Sequence, residues 1–128
     1  MLRFTFKKSE RLHSKILIGK LFSEGSSFFI HPFRVSYLIV EKNEEPPVQI
    51  IISVSKKNFK SAVKRNKIKR LIRESYRINK HMIWDEYIDR HNEQLLLGLV
   101  YVGKTIVPYS EMERKLILIL HRLIDKDA

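Results

Sequence analysis

The hydrophobic positions of the chain follow two periods, which predict a mixture of helices and strands. Segments 14–25 and 110–124 repeat apolar residues at the three- and four-residue spacing of amphipathic helices. Segments 34–40 and 48–55 are rich in Val, Ile and Tyr, as strands are. Residues 41–47 lie between them and contain adjacent prolines, which indicates a turn. We therefore expect the two strands to pair as a hairpin.

A continuous apolar run at 95–102 predicts a central strand that is buried on both faces of a sheet. In the last helix, Ser110 and Glu113 have the spacing of a capping box. Ser14 is expected to cap the first helix, and Gly25 to end it in the left-handed conformation. The element order predicts a small α+β two-layer sandwich, with helices on one face of a mixed sheet and the other face partly open.

The segments between these elements are less regular. Residues 26–32 are expected to be an irregular connection or an edge strand, because Pro32 cannot donate to a ladder. Residues 1–13 are expected to be a flexible basic tail. Residues 81–93 fit either a helical extension or a structured loop, in which Trp84 and Tyr87 pack against the body.

Segment 56–80 combines a helical pattern with concentrated charge. It carries eleven Lys or Arg residues and one acid, Glu74, and so holds +10 of the formal net charge of +11. Its apolar positions recur at helical spacing and predict a stripe that anchors the helix on the core: Val63, Ile68, Leu71, Ile72 and Ile78. The polar and cationic positions predict an opposite face: Arg65, Asn66, Lys69, Arg70, Arg73, Arg77 and Lys80.

This concentration of charge predicts a polyanionic partner, with nucleic acid as the first candidate. Cations four residues apart on a helix repel each other by roughly 0.2 to 0.5 kcal/mol per pair. A bound polyanion would remove that repulsion. The alternative is an amphipathic helix whose charged face is only solvated.

Composition narrows the class of protein. A chain of 128 residues that is 44% hydrophobic suits one domain with one core. The absence of Cys excludes disulfides and thiolate zinc sites. No apolar run reaches the roughly 20 residues that span a bilayer, and we expect a cytoplasmic protein without a secretory signal. The five His residues lack metal-ligand spacing, and no catalytic residues are predicted.

Two sequence motifs carry a family resemblance. SVSKK at 53–57, followed by AVKRNKIKRLIRE at 62–74, resembles the signature of the bacterial ribonuclease P protein subunit. KLFSEG at 20–25 is similar to the first helix of that family, and the resemblance extends over residues 12–124. Lys67 departs from the family's Arg-Asn-Arg motif and loses the planar fork suited to bidentate phosphate contacts.

The resemblance implies a fold like that of ribosomal protein S5 domain 2, with a left-handed β-α-β crossover around the basic helix. It implies a monomer that joins ribonuclease P RNA in a 1:1 ribonucleoprotein and helps to remove the 5′ leader of precursor tRNA. The RNA and its Mg²⁺ would perform this endoribonuclease reaction, and the protein alone would bind no cofactor. The whole chain, 1–128, would be one such domain.

The resemblance also implies two sets of site residues. The basic helix would bind RNA through Lys64, Arg65, Asn66, Lys67, Lys69, Arg70, Arg73 and Arg77. A cleft between the first helix and the sheet would hold the single-stranded leader through Ile18, Phe22, Phe33, Tyr37, Ser55, Lys56 and Lys57. Stacking of bases on aromatic rings tolerates any sequence and contributes roughly 1 to 3 kcal/mol per base.

Alternatives remain for both the cleft and the function. Phe22, Phe33 and Tyr37 could be ordinary core residues, and core is the favoured interpretation of Phe28 and Phe29. The chain could instead be a non-enzymatic module that binds structured RNA, such as a ribosome-associated protein or an assembly factor. A DNA-binding helix module is disfavoured, because no helix-turn-helix pairing precedes the basic helix and no zipper follows it.

Overall fold

A computed structural model of the protein describes residues 6–41, 46–88, 90 and 92–127, with side chains up to residue 125. A short 3₁₀ helix lies at Lys8–Glu10. The helices are α1 (Lys15–Glu24), α2 (Ala62–Asn79), α3 (His81–Tyr87) and α4 (Tyr109–Asp127). The strands are β1 (Ser26–Ile30), β2 (Phe33–Glu41), β3 (Val48–Val54) and β4 (Glu93–Tyr101).

The strands form one mixed sheet in the order β1-β2-β4-β3. β4 is antiparallel to β2 and parallel to β3, so Gly98 lies between Ser36 and Ile51. The predicted hairpin of the second and third strands is therefore wrong. The apolar run in β4 needs neighbours on both sides, and it takes the central position between β2 and β3. The crossover from β3 to β4 runs through α2 and α3.

The main hydrophobic core lies on one face of the sheet, beneath α2, α3 and α4. The central strand contributes Leu95, Leu97, Leu99 and Tyr101, whose side chains alternate toward this face. The helices contribute the rest of the cluster, including Ile68, Ile72, Tyr76, Ile83, Leu116 and Leu120.

Helix α1 packs on the opposite face of the sheet. Its Leu21 forms a second, smaller cluster with Leu12 and Leu96, against which Leu17 and Ile18 also pack. The helices are thus divided between the two faces, and the expectation that all of them share one face is wrong for α1. One short helix cannot cover the whole face, so part of the face stays open.

The first helix begins as predicted, but it ends for a different reason. The Ser14 side chain accepts a hydrogen bond from the amide of Leu17. Gly25 ends the helix with φ of −72°, not in the left-handed conformation. A Cβ at this position would lie 2.7 Å from the carbonyl oxygen of Tyr37 and would also overlap that of Leu21. Close packing on β2 therefore favours glycine here.

The last helix begins one residue before the predicted cap. In its first turn, the amides of Glu111 and Met112 donate to the carbonyl oxygen of Pro108. Ser110 lies inside the helix. The carboxylate of Glu113 accepts a hydrogen bond from Asn79 at 2.8 Å. The predicted capping box is therefore wrong, and Glu113 joins α4 to α2 instead.

Residues 6–13 belong to the folded body, which corrects the prediction of a flexible tail for this part of the chain. The amide of Leu12 donates to the carbonyl oxygen of Ile50 at 2.9 Å, and Arg11 forms a parallel bridge with the same residue. Glu10 is buried and forms an ion pair with Lys80. The segment therefore covers part of the outer edge of β3. Residues 1–5 of the predicted tail lie outside the described residues.

Segment 81–93, for which the sequence allowed either a helical extension or a structured loop, contains the separate helix α3. Tyr87 is buried, and Trp84 is half-buried with its indole nitrogen 3.0 Å from the hydroxyl of Tyr76. The predicted packing of these two aromatics is confirmed. Among the residues that the structure describes, no helix is long and apolar enough to cross a membrane.

Candidate nucleic-acid interface

The basic helix is α2, and its apolar stripe anchors it on the core. Ser61 caps its first turn by accepting from the amide of Lys64. The buried side comprises Ile68, Ile72, Ser75, Tyr76 and Asn79, and Leu71 packs at its margin. Val63, expected to belong to the stripe, is 78% exposed. It lies in the first turn, before the helix reaches the body.

The predicted RNA-binding residues of α2 lie along its outer side at two depths. The outermost are exposed: Lys64, Asn66, Lys67 and Arg70. The flanking ones are half-buried: Arg65, Lys69, Arg73 and Arg77. We call these eight side chains the basic face. It presents seven cations on one rigid element, an arrangement suited to a row of phosphates.

Two arginines of the basic face also make contacts within the protein. The guanidinium of Arg65 donates to the carbonyl oxygens of Phe59 and Lys60, at 2.7 and 2.9 Å. Arg77 forms an ion pair with Glu74, and this hydrogen bond lowers the pKa of Glu74 and raises that of Arg77. Arg65 therefore also fastens the loop that leads into α2.

Lys80, expected on the outer side of the helix, is instead 3% exposed and lies in the interior. Its ammonium group is 2.8 Å from a carboxylate oxygen of Glu10 and 4.4 Å from the centre of the Trp84 ring. The helix ends at Asn79, so the following residue turns inward instead of continuing the outer row. This cation is structural.

A cavity of about 230 Å³ lies beside α2, between that helix and the N-terminal segment. Lys69 and Arg73 line it from the helix, and Arg11 and His13 line it from the segment. Burial lowers the pKa of Arg73, and the nearby charges of Arg11 and Arg70 lower it further. The cationic surface thus extends beyond α2 to a segment that the charge pattern did not single out.

The second face of the sheet is exposed next to α1, at Arg34 and Ser53, and we call this surface beside the helix the groove. Phe22 is 48% exposed, and its ring lies over Gly98 of β4. A Cβ on Gly98 would be only 3.1 Å from the end of the Phe22 ring and 3.3 Å from Leu21. The glycine therefore lets the aromatic ring lie close against the sheet with one side open.

Alternation along the strands identifies further residues that share this face with Gly98 and that were not among the predicted cleft residues. Arg34 and Ser36 lie on β2, Val100 on β4 and Ser53 on β3. Phe29 is paired with Arg34 and is 54% exposed, so the expectation that it is a core residue is wrong. Finding these residues required the strand order, which the local pattern did not reveal.

Two of the predicted cleft residues lie on the other face of the sheet. Phe33 is fully buried in the main core, where its ring packs against Tyr101 with centroids 5.6 Å apart. Tyr37 packs at the margin of the same core, 6.0 Å from the ring of Phe28. Their assignment to the cleft is wrong. The core interpretation is confirmed for Phe33 and Phe28, and Tyr37 is partly buried against that core. Ile18 is half-buried on the side of α1 that faces the sheet, where it packs against the smaller cluster.

The remaining predicted cleft residues lie where β3 leaves the sheet. Lys56 and Lys57 are exposed, and Ser55 is half-buried. The hydroxyl of Ser55 accepts from the amide of Asn58, whose side chain donates to the carbonyl oxygen of Val102 at 2.9 Å. The two lysines thus extend from a fastened loop between the groove and the start of α2. The described residues contain no cluster of three or more His, Asp or Glu side chains that could hold a metal ion.

Comparison with known proteins identifies the family of this chain. The family model described as Ribonuclease P matches residues 6–123. The ribonuclease P protein component of Porphyromonas gingivalis is 42% identical over 111 residues, which are 87% of this chain and 80% of that protein. The component of Syntrophus aciditrophicus is 31% identical, with 94% of this chain and 92% of that protein covered.

Solved structures give the same result. The ribonuclease P protein of Thermotoga maritima superposes with a TM-score of 0.66 at 28% identity, covering 88% of this chain and 96% of that one. The Staphylococcus aureus protein has the same fold, with a TM-score of 0.69 at 24% identity and coverage of 91% and 96%. The matched fold, the motif on α2 and the coverage of nearly the whole chain together show that this protein belongs to the ribonuclease P protein component family.

Proposed function

We propose that the chain binds the RNA subunit of ribonuclease P through the basic face and holds the 5′ leader of precursor tRNA in the groove beside α1. It thereby assists the endonucleolytic removal of the leader, as a monomer in a 1:1 ribonucleoprotein in the cytoplasm. The observation that carries the proposal is the basic face itself, a row of cations mounted on a helix whose other side is buried in the core.

The basic face favours a structured polyanion over a flexible one. Ile68, Ile72 and Tyr76 fix α2 on the body, so the spacing of its cations is set before binding and little ordering is required. Arg70 and Lys67 are exposed and can contact phosphates without a change in the protein. Phosphate contacts of this kind position a protein on RNA without reading its sequence.

The groove suits a single strand. The open side of the Phe22 ring offers a stacking surface, and Phe29 offers a second aromatic on the same face. Arg34 adds a positive charge beside Phe29. Lys56 and Lys57 can then contact the phosphates of the leader where its backbone continues toward α2. Base stacking and phosphate contacts do not depend on the identity of the bases, so the groove can hold leaders of different sequence. A protein that processes many tRNAs requires this tolerance.

In this proposal the RNA subunit performs the hydrolysis with its own Mg²⁺, and the protein supplies binding and orientation. Neutralisation of closely spaced phosphates by the basic face would reduce the Mg²⁺ concentration that the assembled RNA needs. No residue of this chain is assigned a step in the cleavage itself.

The proposal is tested by reconstitution with a bacterial ribonuclease P RNA at low Mg²⁺. We expect faster processing of precursor tRNA than the RNA achieves alone. The Phe22→Ala variant should lose much of the preference for leader-bearing substrate over mature tRNA, by roughly the 1 to 3 kcal/mol of one stacked base. The matched control is Ile16→Ala, which removes another exposed apolar side chain from α1.

Two results would contradict the proposal. If the chain binds the RNA but leaves cleavage and the Mg²⁺ requirement unchanged, it is a structured-RNA-binding module of another kind. If Phe22→Ala and Ile16→Ala affect leader preference equally, the groove is not the leader site.

A further inference from the structure

The N-terminal segment brings an additional cation next to the basic face. The backbone of Arg11 bridges to Ile50 at the outer edge of β3, and its guanidinium lies 5.5 Å from the centre of the Phe6 ring. With Lys69 and Arg73, Arg11 lines the cavity between the segment and α2. No acidic side chain is among the described residues that line this cavity.

Arg11 is held there against electrostatic repulsion. Its charge is one of the causes that lower the pKa of Arg73, after burial and together with the charge of Arg70. A flexible segment would move its cation away from such a cluster. Some other contact must therefore keep Arg11 in place.

The backbone bridge to Ile50 holds the segment on one side. The ion pair of Glu10, the residue that precedes Arg11, with Lys80 holds it on the other. Both side chains are 3% exposed, and their charged atoms are 2.8 Å apart. The second carboxylate oxygen of Glu10 accepts from the backbone amide of Lys7 at 2.8 Å. Lys80 also lies against the Trp84 ring. The carboxylate thus joins the N-terminal segment to the junction of α2 and α3.

We propose that the buried Glu10–Lys80 pair is a positioning device that holds Arg11 beside Lys69 and Arg73, where Arg11 binds a backbone phosphate of the RNA. The planar guanidinium can contact two oxygens of one phosphate, which an ammonium group cannot do with the same geometry. This inference rests on the proposed function for the identity of the RNA. Glu10 and Lys80 are positioning residues, and Arg11 is the contact.

The contact is tested by measuring the affinity of the chain for a bacterial ribonuclease P RNA over a series of salt concentrations. Arg11→Ala keeps the backbone bridge and should weaken binding roughly tenfold, the loss expected for a hydrogen-bonded charge. The slope of log affinity against log salt should become shallower by about one. Lys8→Ala is the matched control, because it removes one exposed cation from the same segment. Equal losses for the two variants would overturn the contact.

The positioning role is tested by a double-mutant cycle. Glu10→Gln with Lys80→Met removes both charges together, and it should reduce RNA affinity by nearly as much as Arg11→Ala. Adding Arg11→Ala to this pair variant should then cause little further loss, because the misplaced cation no longer contributes. Thermal melting shows whether the pair variant is folded. If the pair variant is unfolded, Glu10→Asp takes its place in the cycle.

These measurements distinguish a failure of the positioning role from a failure of the proposed function. Unchanged affinity in the pair variant, or losses that simply add to that of Arg11→Ala, would overturn the positioning role. Wild-type protein that fails to bind the RNA would overturn the proposed function instead.

Discussion

At the scale of single residues, two glycines illustrate how one residue type serves different purposes in α1. Gly25 lies where a Cβ would overlap backbone oxygens of Leu21 and Tyr37, whereas Gly19 has no atom within 4 Å of its Cβ position. The sequence identified Gly25 as the end of the helix. It did not show that contact with a neighbouring strand is the reason, because that contact depends on how β2 folds against α1.

Replacing these two glycines by alanine should have opposite effects on stability. Gly25→Ala forces the helix end away from β2 and should lower the free energy of unfolding by roughly 1 to 3 kcal/mol, as overpacking does. Gly19→Ala should raise it by about 0.5 to 1 kcal/mol, because alanine favours an exposed helix interior. Urea denaturation of both variants measures the difference, and a stable Gly25→Ala protein would contradict the close contact.

Glu74, the only acid of segment 56–80, limits the charge of the basic face. Its pKa is lowered by the hydrogen bond from Arg77, so the ion pair is present at neutral pH and is lost only as the pH falls through that lowered value. Glu74→Gln removes the negative charge and with it the ion pair to Arg77. We expect roughly two- to fivefold tighter binding of the RNA at pH 7 and a steeper salt dependence.

The control for this prediction is Glu111→Gln, which removes an acid from the first turn of α4 instead. It should change RNA affinity much less. Equal effects of the two substitutions would show that net charge, rather than the position of the acid beside the basic face, determines the change.

At the scale of elements, hydrophobic periodicity predicted the individual helices and strands better than it predicted how they assemble. The apolar run in β4 correctly indicated a central strand, and the stripe on α2 correctly indicated which side is buried. The pairing of β2 with β3 was wrong because β4, which follows later in the chain, inserts between them. Local patterns carry no information about such a long-range insertion, and the lining of the groove depends on it.

The buried pair that joins the N-terminal segment to the end of α2 was equally inaccessible to sequence reasoning. Glu10 and Lys80 are 70 positions apart, and each looks like an ordinary surface residue in the sequence. Glu10→Gln alone leaves a buried charge without its ionic partner and should cost roughly 3 to 5 kcal/mol of stability. Glu10→Gln with Lys80→Met should recover most of this loss, as thermal or urea unfolding would show. Equal destabilisation of the two variants would contradict a coupled pair.

At the scale of the whole molecule, the row of positive charge on α2 is part of a path that continues beyond the helix. The basic face of α2 is flanked by Lys56 and Lys57 at the end of β3, and by Arg11 on the N-terminal segment. The groove beside Phe22 opens on the other face of the sheet. In the proposed function this charged path binds ribonuclease P RNA and the groove holds the leader, so that the two surfaces serve one cleavage reaction.

The most direct measurement of this claim is cleavage of a leader-bearing precursor tRNA by a bacterial ribonuclease P RNA at low Mg²⁺, with two charge-deficient variants of the protein. Lys67→Ala with Arg70→Ala removes two exposed cations of the basic face, and Lys104→Ala with Arg114→Ala removes two exposed cations elsewhere. We expect the Lys67/Arg70 variant to stay folded but to lose most of its stimulation of cleavage. The Lys104/Arg114 variant should stimulate cleavage as the wild-type protein does. Equal stimulation by the two variants would contradict this claim.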